Sequence, residues 1–230
     1  MIHAILTVDD ISTKNTKMIV DYLNEKKITA VMFAWGEFIE NHYENAIYAL
    51  QHGMIIGNHS YSHPHFSELS LEEAIEEIEK NEEILDKLYK DAGVERKYRP
   101  FRFPYGDKGG KNKEALQEYF VTHGFDKLND KQIPYEWWKQ MGLDKDIDTL
   151  WTFDFMEYCI RPNSGFTKEN VFERIENRNP EEGAALLEDG GSHILLIHDH
   201  EETEDLVPGY FKMFIDYVLE QGVIFDKPWA

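Results

Sequence analysis

The chain has 230 residues, 42% of them hydrophobic and 30% charged, a balance that supports a core large enough to fold without disulfides and lies far from a disordered composition. Its 24 Lys and Arg are outnumbered by 44 Asp and Glu, a formal net charge of −20. Such a surface repels phosphate backbones and anionic lipid headgroups, so nucleic acid and membrane are excluded as expected partners.

In chain order, the opening run Met1-Ile2-His3-Ala4-Ile5-Leu6 lacks the basic segment and long apolar stretch of an export signal, and no window approaches the ~18 apolar residues of a membrane span. A cytoplasmic location is expected, or secretion if a signal has been removed. Ile2 to Val8 reads as a strand and Thr16 to Lys26 as an amphipathic helix carrying Met18, Ile19, Tyr22 and Leu23 on one side. The alternation recurs with Thr29–Ala34, Glu37–Gln51 and Met54–Ile56, and later with Ile194–Ile197 and Gly209–Glu220, which predicts a parallel sheet covered by helices on both faces. The longest helix is expected over Leu71–Lys90, with Ser70 and Glu73 placed for a capping box and an apolar stripe of Leu71, Ala74, Ile75, Ile78, Leu85 and Leu88. Glu68 to Glu95 holds 11 acids and 3 lysines, read as a solvated helix face. Lys127 to Asp148, with Trp137 and Trp138, has weak periodicity and is expected to cross a strand end, its aromatics serving either substrate or core. Cys159, the single cysteine, can form neither an intramolecular bridge nor a multi-thiolate metal site and suits a reducing compartment. Without repeats or a long linker, residues 1–230 read as one domain of unknown oligomeric state.

Two features carry chemistry. Asp9 and Asp10 are adjacent carboxylates at the end of the first strand, where ligand sites of parallel α/β folds open; a bound cation relieves their repulsion and lets one serve as ligand and the other as base. His59 and His63, four apart and expected on one side of a helical turn, can reach one ion at about 2.0 to 2.1 Å. Two His plus one Asp leave a coordination position for water, the pattern of a catalytic site. Ser60 stands where H-E-x-x-H proteases carry their glutamate base, so the base comes from elsewhere, and Asp9 is the supplier.

These residues resemble the polysaccharide deacetylases, carbohydrate esterase family four, which includes chitooligosaccharide and peptidoglycan deacetylases. The family's Thr-Phe-Asp-Asp-Gly is similar to Thr7-Val8-Asp9-Asp10-Ile11, and its His-Ser/Thr-x-x-His is matched by His59 to His63. Its Arg-x-Pro-Tyr/Phe-Gly is matched by Arg102-Phe103-Pro104-Tyr105-Gly106, its Trp-x-x-Asp-x-x-Asp-Trp is approximated by Trp151 to Tyr158, and its Leu-x-His is Leu196-Ile197-His198. The resemblance implies an incomplete or distorted (β/α) barrel of about seven parallel strands with the metal at the strands' carboxyl ends. It implies Asp10, His59 and His63 as ligands of one divalent ion, zinc above cobalt, nickel or manganese, and Asp9 as the base. His198 becomes the general acid with Asp154 as its partner, Arg102 pairs with Asp9 to keep it oriented and ionised, and the Tyr105 N–H stabilises the oxyanion.

Two departures bear on substrate. Ile11 replaces a glycine and disfavours positive φ, so the loop after the first strand is expected to run differently. Glu157-Tyr158 replaces Asp-Trp and alters the acetyl pocket. The expected activity is a hydrolase acting on carbon–nitrogen non-peptide bonds that removes an acetyl group from an N- or O-acetylated sugar. The alternatives are an amidohydrolase for a small non-sugar amide or cyclic imide, and a noncatalytic carbohydrate- or metal-binding protein. His65, His193 and His200 are assigned no role.

Overall fold

The computed structural model describes residues 1–229. Its elements follow in order as β1 (Ile2–Ile11), α1 (Thr16–Lys26), β2 (Val31–Ala34), α2 (Gly36–Asn41), α3 (Tyr43–Gln51), β3 (Ile55–Asn58) and α4 (Leu71–Ala92). Then come α5 (Lys113–Thr122), α6 (Glu136–Gln140), β4 (Phe153–Asp154), α7 (Lys168–Glu176), β5 (Ser192–His198), α8 (Glu201–Leu206), α9 (Tyr210–Glu220) and β6 (Val223–Phe225).

All strand pairs are parallel, in the order β3-β2-β1-β5-β4. One edge of β1 is taken by β5 from His3 to Asp9; the other is shared by β6, beside Ile2 to Ala4, and β2, beside Thr7 to Ile11. This is an incomplete (β/α) barrel with six strands among the described residues, where the family resemblance implied about seven. The segment after α4 reaches the sheet only as a bridge between Asn58 and Phe101, because Pro100 and Pro104 bracket three residues and offer no amides to extend a ladder.

Alternation along the strands sorts side chains to two faces. Ala4, Leu6 and Val8 of β1, with Met32, Ile56, Leu195 and Ile197, pack under the helices against residues such as Ile19, Leu23, Leu85 and Phe214. Each such Leu or Ile, moved wholly out of water, contributes about 1.5–3 kcal/mol. The alternate residues Ile5, Val31, Phe33 and Ile194 point into the barrel, where Leu128, Ile133, Trp138 and Leu143 fill it. The expected excursion over Lys127–Asp148 is thus mainly a plug containing α6. Farther along the same inner face come Thr7 and Asp9 of β1 and Leu196 and His198 of β5, with Asp9 in register with His198. The barrel's packing therefore delivers these two chemically active side chains to one opening.

The helices match their signals with two differences. Ser70 and Glu73 form the capping box, and Gly93 in the left-handed conformation (φ 70) ends α4. The single helix expected over Glu37–Gln51 is two, broken at His42, whose carbonyl accepts from Ser12 Oγ in the loop after β1. The acidic face of α4 is also not uniformly solvated: Asn81 and Glu82 are buried. No helix among the described residues is long and apolar enough to cross a membrane.

His193, buried in β5, has Nε2 2.9 Å from Tyr135 Oη and Nδ1 3.2 Å from Thr152 Oγ1. Burial pushes its pKa down to about 4 from 6.5. Since the unfolded chain takes up this proton first, the neutral ring contributes stability that is complete above about pH 6.5 and lost as pH falls toward 4, on the order of 3 kcal/mol in all. Urea unfolding at stepped pH should therefore give a steeper loss for the natural chain than for His193→Gln over that window. Parallel curves would contradict the assignment.

Candidate active site

Adjacent carboxylates at the end of a buried strand need compensation, and each aspartate finds a different kind. Asp9 is almost fully buried and accepts from Arg102 Nη1 at 2.6 Å. Arg102, wholly buried, also donates to Thr7 Oγ1 (2.8 Å) and the Thr149 carbonyl (3.0 Å), and its guanidinium lies 4.4 Å from the Phe33 ring centroid. That burial rules out an ordinary surface ion pair. Asp10 turns away from the inner face because the backbone bulges between Asp9 and Ile11, with Asp10 in the left-handed region (φ 62). The positive φ thus falls on an aspartate, a residue type that tolerates it, while Ile11 completes the strand with its side chain in the core.

His59 and His63 do converge on Asp10, but not on a helical turn. The segment between β3 and Phe66 is a loop in which Ser60 (φ 66) and His63 (φ 60) are left-handed. These two reversals fold the chain back so that the imidazole centroids are 4.9 Å apart. His59 Nε2 and His63 Nε2 stand 3.7 and 3.5 Å from Asp10 Oδ1. Tetrahedral coordination with bonds of about 2.1 Å has edges of about 3.4 Å, so the spacing fits one ion. Asp10 Oδ1 is buried without a hydrogen-bond partner, an expensive condition unless a cation completes it. His59 Nδ1, 2.8 Å from the Arg102 carbonyl, is thereby the donor nitrogen and leaves the Nε2 lone pair facing Asp10. Burial first, and then neighbouring His59, push the His63 pKa to about 4, which keeps that ring neutral and able to bind a metal. The donor set therefore fits a divalent ion.

Across the opening, His198 Nδ1 is 2.9 Å from Glu157 Oε1, which also accepts the His198 backbone N–H at 2.6 Å. The partner of His198 is thus Glu157, not Asp154 as the family motif suggested. Asp154 sits nearby but accepts instead from the Met156 amide (2.8 Å), and burial raises its pKa to about 6. A glutamate three residues beyond Asp154 has the extra methylene to reach the ring from the turn at Glu157–Cys159; the substitution in the fourth motif was the available signal. Burial works against the charged His198 ring, yet the Glu157 charge and hydrogen bond, with Asp10 and Asp154 behind them, carry its pKa to about 10.

Asp9, Asp10, His59, His63, Tyr105, Asp154 and His198 all line one cleft of about 550 Å³. Tyr105 is left-handed (φ 58), and its backbone N–H has no acceptor among the described residues; its ring stacks on His65 at 4.0 Å and closes one rim. Trp35 and Phe38, unremarked in the sequence, form the apolar wall next to His63, with the Trp35 ring centroid 5.1 Å from it. Asp199 was likewise missed. Wholly buried, it accepts from Thr13 Oγ1 at 2.6 Å and from Thr16 Oγ1, tying the loop after β1 to the end of β5. His200 also lines the cleft, and its ring caps α8 by accepting from the Thr203 amide. A second cleft of about 720 Å³ shares Tyr105, Trp151, Asp154 and Tyr158 with the first and extends to Trp137 and Met141.

Residues 2–124 match the family described as polysaccharide deacetylase, a stretch that includes Asp9, Asp10, His59, His63, Arg102 and Tyr105. Peptidoglycan-N-acetylmuramic acid deacetylase PdaC of Bacillus subtilis (strain 168) is 36% identical over 104 residues, 44% of this chain and 21% of that protein. A peptidoglycan-N-acetylglucosamine deacetylase of Bacillus cereus is 36% identical over 104 residues, 44% of this chain and 36% of that protein. The matched stretch thus spans about a fifth and about a third of these relatives' own lengths. Among solved structures, the chitin deacetylase of the fungus Colletotrichum lindemuthianum superposes with a TM-score of 0.64 at 20% identity over 97% of this chain and 84% of that one. The B. subtilis PdaC structure gives 0.61 at 24% identity over 97% and 86%, and both likenesses concern the fold. With more than half of its length matched to the family, the chain is a member of the polysaccharide deacetylases.

Proposed function

We propose that this chain is a metal-dependent hydrolase that removes the acetyl group from an N-acetylated sugar, breaking a carbon–nitrogen bond that is not a peptide bond, or from an O-acetylated sugar, breaking a carbon–oxygen ester bond. The observation that carries the reading is a single cleft holding a three-donor cluster, a buried carboxylate and a histidine with a raised pKa. The residues involved run from Asp9 to His198, which supports treating the chain as one catalytic unit.

Asp10, His59 and His63 would hold a divalent ion, zinc being one of several that suit nitrogen and oxygen donors, and such an ion would lower the pKa of a water toward 7 and polarise the acetamide carbonyl. Asp9, fixed by Arg102, accepts the proton of the attacking water. The Tyr105 N–H is available to the developing oxyanion, a donor of the kind whose loss costs about 3 kcal/mol. With Nδ1 held by Glu157, His198 carries its mobile proton on Nε2 and gives it to the leaving nitrogen. Without that proton the amine is a poor leaving group and the intermediate reverts. The second cleft supports a substrate longer than one sugar, with Trp137 and Met141 beside the neighbouring residue.

Incubation with acetylated chitooligosaccharides and zinc should release acetate; turnover confined to cyclic imides or other small amides, or bound metal with no turnover on any amide or ester, would overturn the sugar reading. Asp10→Ala should lose both metal, by elemental analysis, and activity. Asp9→Asn should keep the metal and lose about 10²–10⁴-fold in kcat. In the metal-free protein, the NMR titration midpoint of His198 should fall from about 10 toward 6.5 in Glu157→Gln and much less in Asp154→Asn. Trp137→Ala and Met141→Ala should raise KM for an acetylated tetrasaccharide more than for the monosaccharide, an asymmetry that a plain stability defect would not produce.

A further inference from the structure

We infer that a polar stripe on α4, made of Glu77, Asn81 and Glu82, sets the metal affinity of the site by locking the His59–His63 loop in its binding shape; the inference rests on Asp10, His59 and His63 being the metal ligands. None of the three touches a ligating atom, so any effect passes through the loop's geometry.

The loop does not hold itself. Ser60 and His63 are non-glycine residues in the unfavourable left-handed region, and together they bring the two imidazoles onto Asp10. The backbone amides of Gly36 and Glu37 on α2 donate to the Ser60 and Tyr61 carbonyls at 3.1 Å, and α4 adds side-chain partners. Glu77 Oε2 accepts the backbone amides of Tyr61 (3.0 Å) and Ser62 (2.8 Å), and its Oε1 accepts the Ser62 hydroxyl (2.8 Å). One turn along, Asn81 Nδ2 donates to the Ala34 carbonyl at 2.8 Å and to Asn58 Oδ1 at 3.0 Å. That same Asn58 oxygen accepts the amide of left-handed Ser60 at 2.8 Å, and Ser60 Oγ in turn accepts the His63 amide at 3.1 Å. The Asn58 amide group donates to the Ile78 carbonyl (3.0 Å) and to Glu82 Oε1 (2.9 Å). Glu82 is clamped from its other side by Arg96 and Arg99 at 2.8 and 2.7 Å.

Asn58, Asn81 and Glu82 are buried, so these bonds compete with little water and fix one arrangement. A loop not held this way would have to be ordered by the ion, and the backbone entropy lost would be taken from the binding energy. Partners of this outer kind commonly change metal affinity 10–100-fold.

The test measures zinc affinity by competition with a chromophoric chelator and the visible spectrum of the cobalt form, neither of which depends on turnover. Glu77→Ala and Asn81→Leu should each raise the zinc Kd about 10–100-fold and broaden the cobalt band. Glu83→Gln, on the exposed face of the same helix, should leave both at the natural value. Should the first two variants fail to fold, Ser62→Ala carries the test, since it deletes one hydrogen bond at an exposed hydroxyl: a raised Kd supports the inference and the natural Kd overturns it. Unchanged affinity in folded Glu77→Ala and Asn81→Leu overturns the inference while the metal reading stands. A natural chain that binds neither zinc nor cobalt overturns the metal reading itself, and this inference with it.

Discussion

The structure is organised around the placement of two neighbouring negative charges at the end of a strand that is packed on both faces. Removing a carboxylate from water costs several kcal/mol unless an opposite charge or good donors meet it. Asp9 is met by Arg102, itself wholly buried and held by Thr7 and Thr149, so charge and counter-charge form a fixed unit in the barrel mouth. Asp10 is met differently: a backbone bulge turns it toward two histidines and leaves one oxygen with no donor. The two aspartates therefore differ chemically although they are adjacent in sequence, an asymmetry that suits one to the proposed role of base and the other to that of ligand.

On the far side of the cleft the same rule produces the opposite result. His198 is largely enclosed, which alone would keep it neutral, but the wholly buried Glu157 bonds it directly, so the pair holds its proton. His63, equally enclosed but without a bonded carboxylate, stays neutral. One imidazole keeps its proton and the other stays neutral, by the presence or absence of one carboxylate at hydrogen-bond distance, which suits them to the proposed roles of acid and ligand.

The surroundings of the mouth make two different demands on the sequence. The inner face of the barrel needs only apolar volume, supplied here by a plug with Trp138 at its centre, whereas the loop after β3 needs particular hydrogen-bond partners because its backbone is strained. Several of those partners are side chains of α4, which starts at a capping box and runs for 22 residues. A long acidic helix is thus in part a scaffold for the site.

Much of this was written in the sequence. Short apolar runs marked strands β1, β2 and β5, the 3.6-residue period marked helices α1, α4 and α9, and the Ser70–Glu73 pair marked the start of α4; the Asp9–Asp10 pair and the His59–His63 spacing are local signals of the cleft, whereas Arg102 and His198 were reached only through the family resemblance. What the sequence could not decide were partnerships between distant segments. That Glu157 rather than Asp154 would bond His198, that Asn81 and Glu82 would be buried instead of solvated, that the two histidines would meet through left-handed turns, and that the segment at Phe101 would shrink to a bridge all depend on distances set only when helices and sheet pack. Buried polar groups choose among candidates by fractions of an ångström, and such distances exist only in the folded molecule.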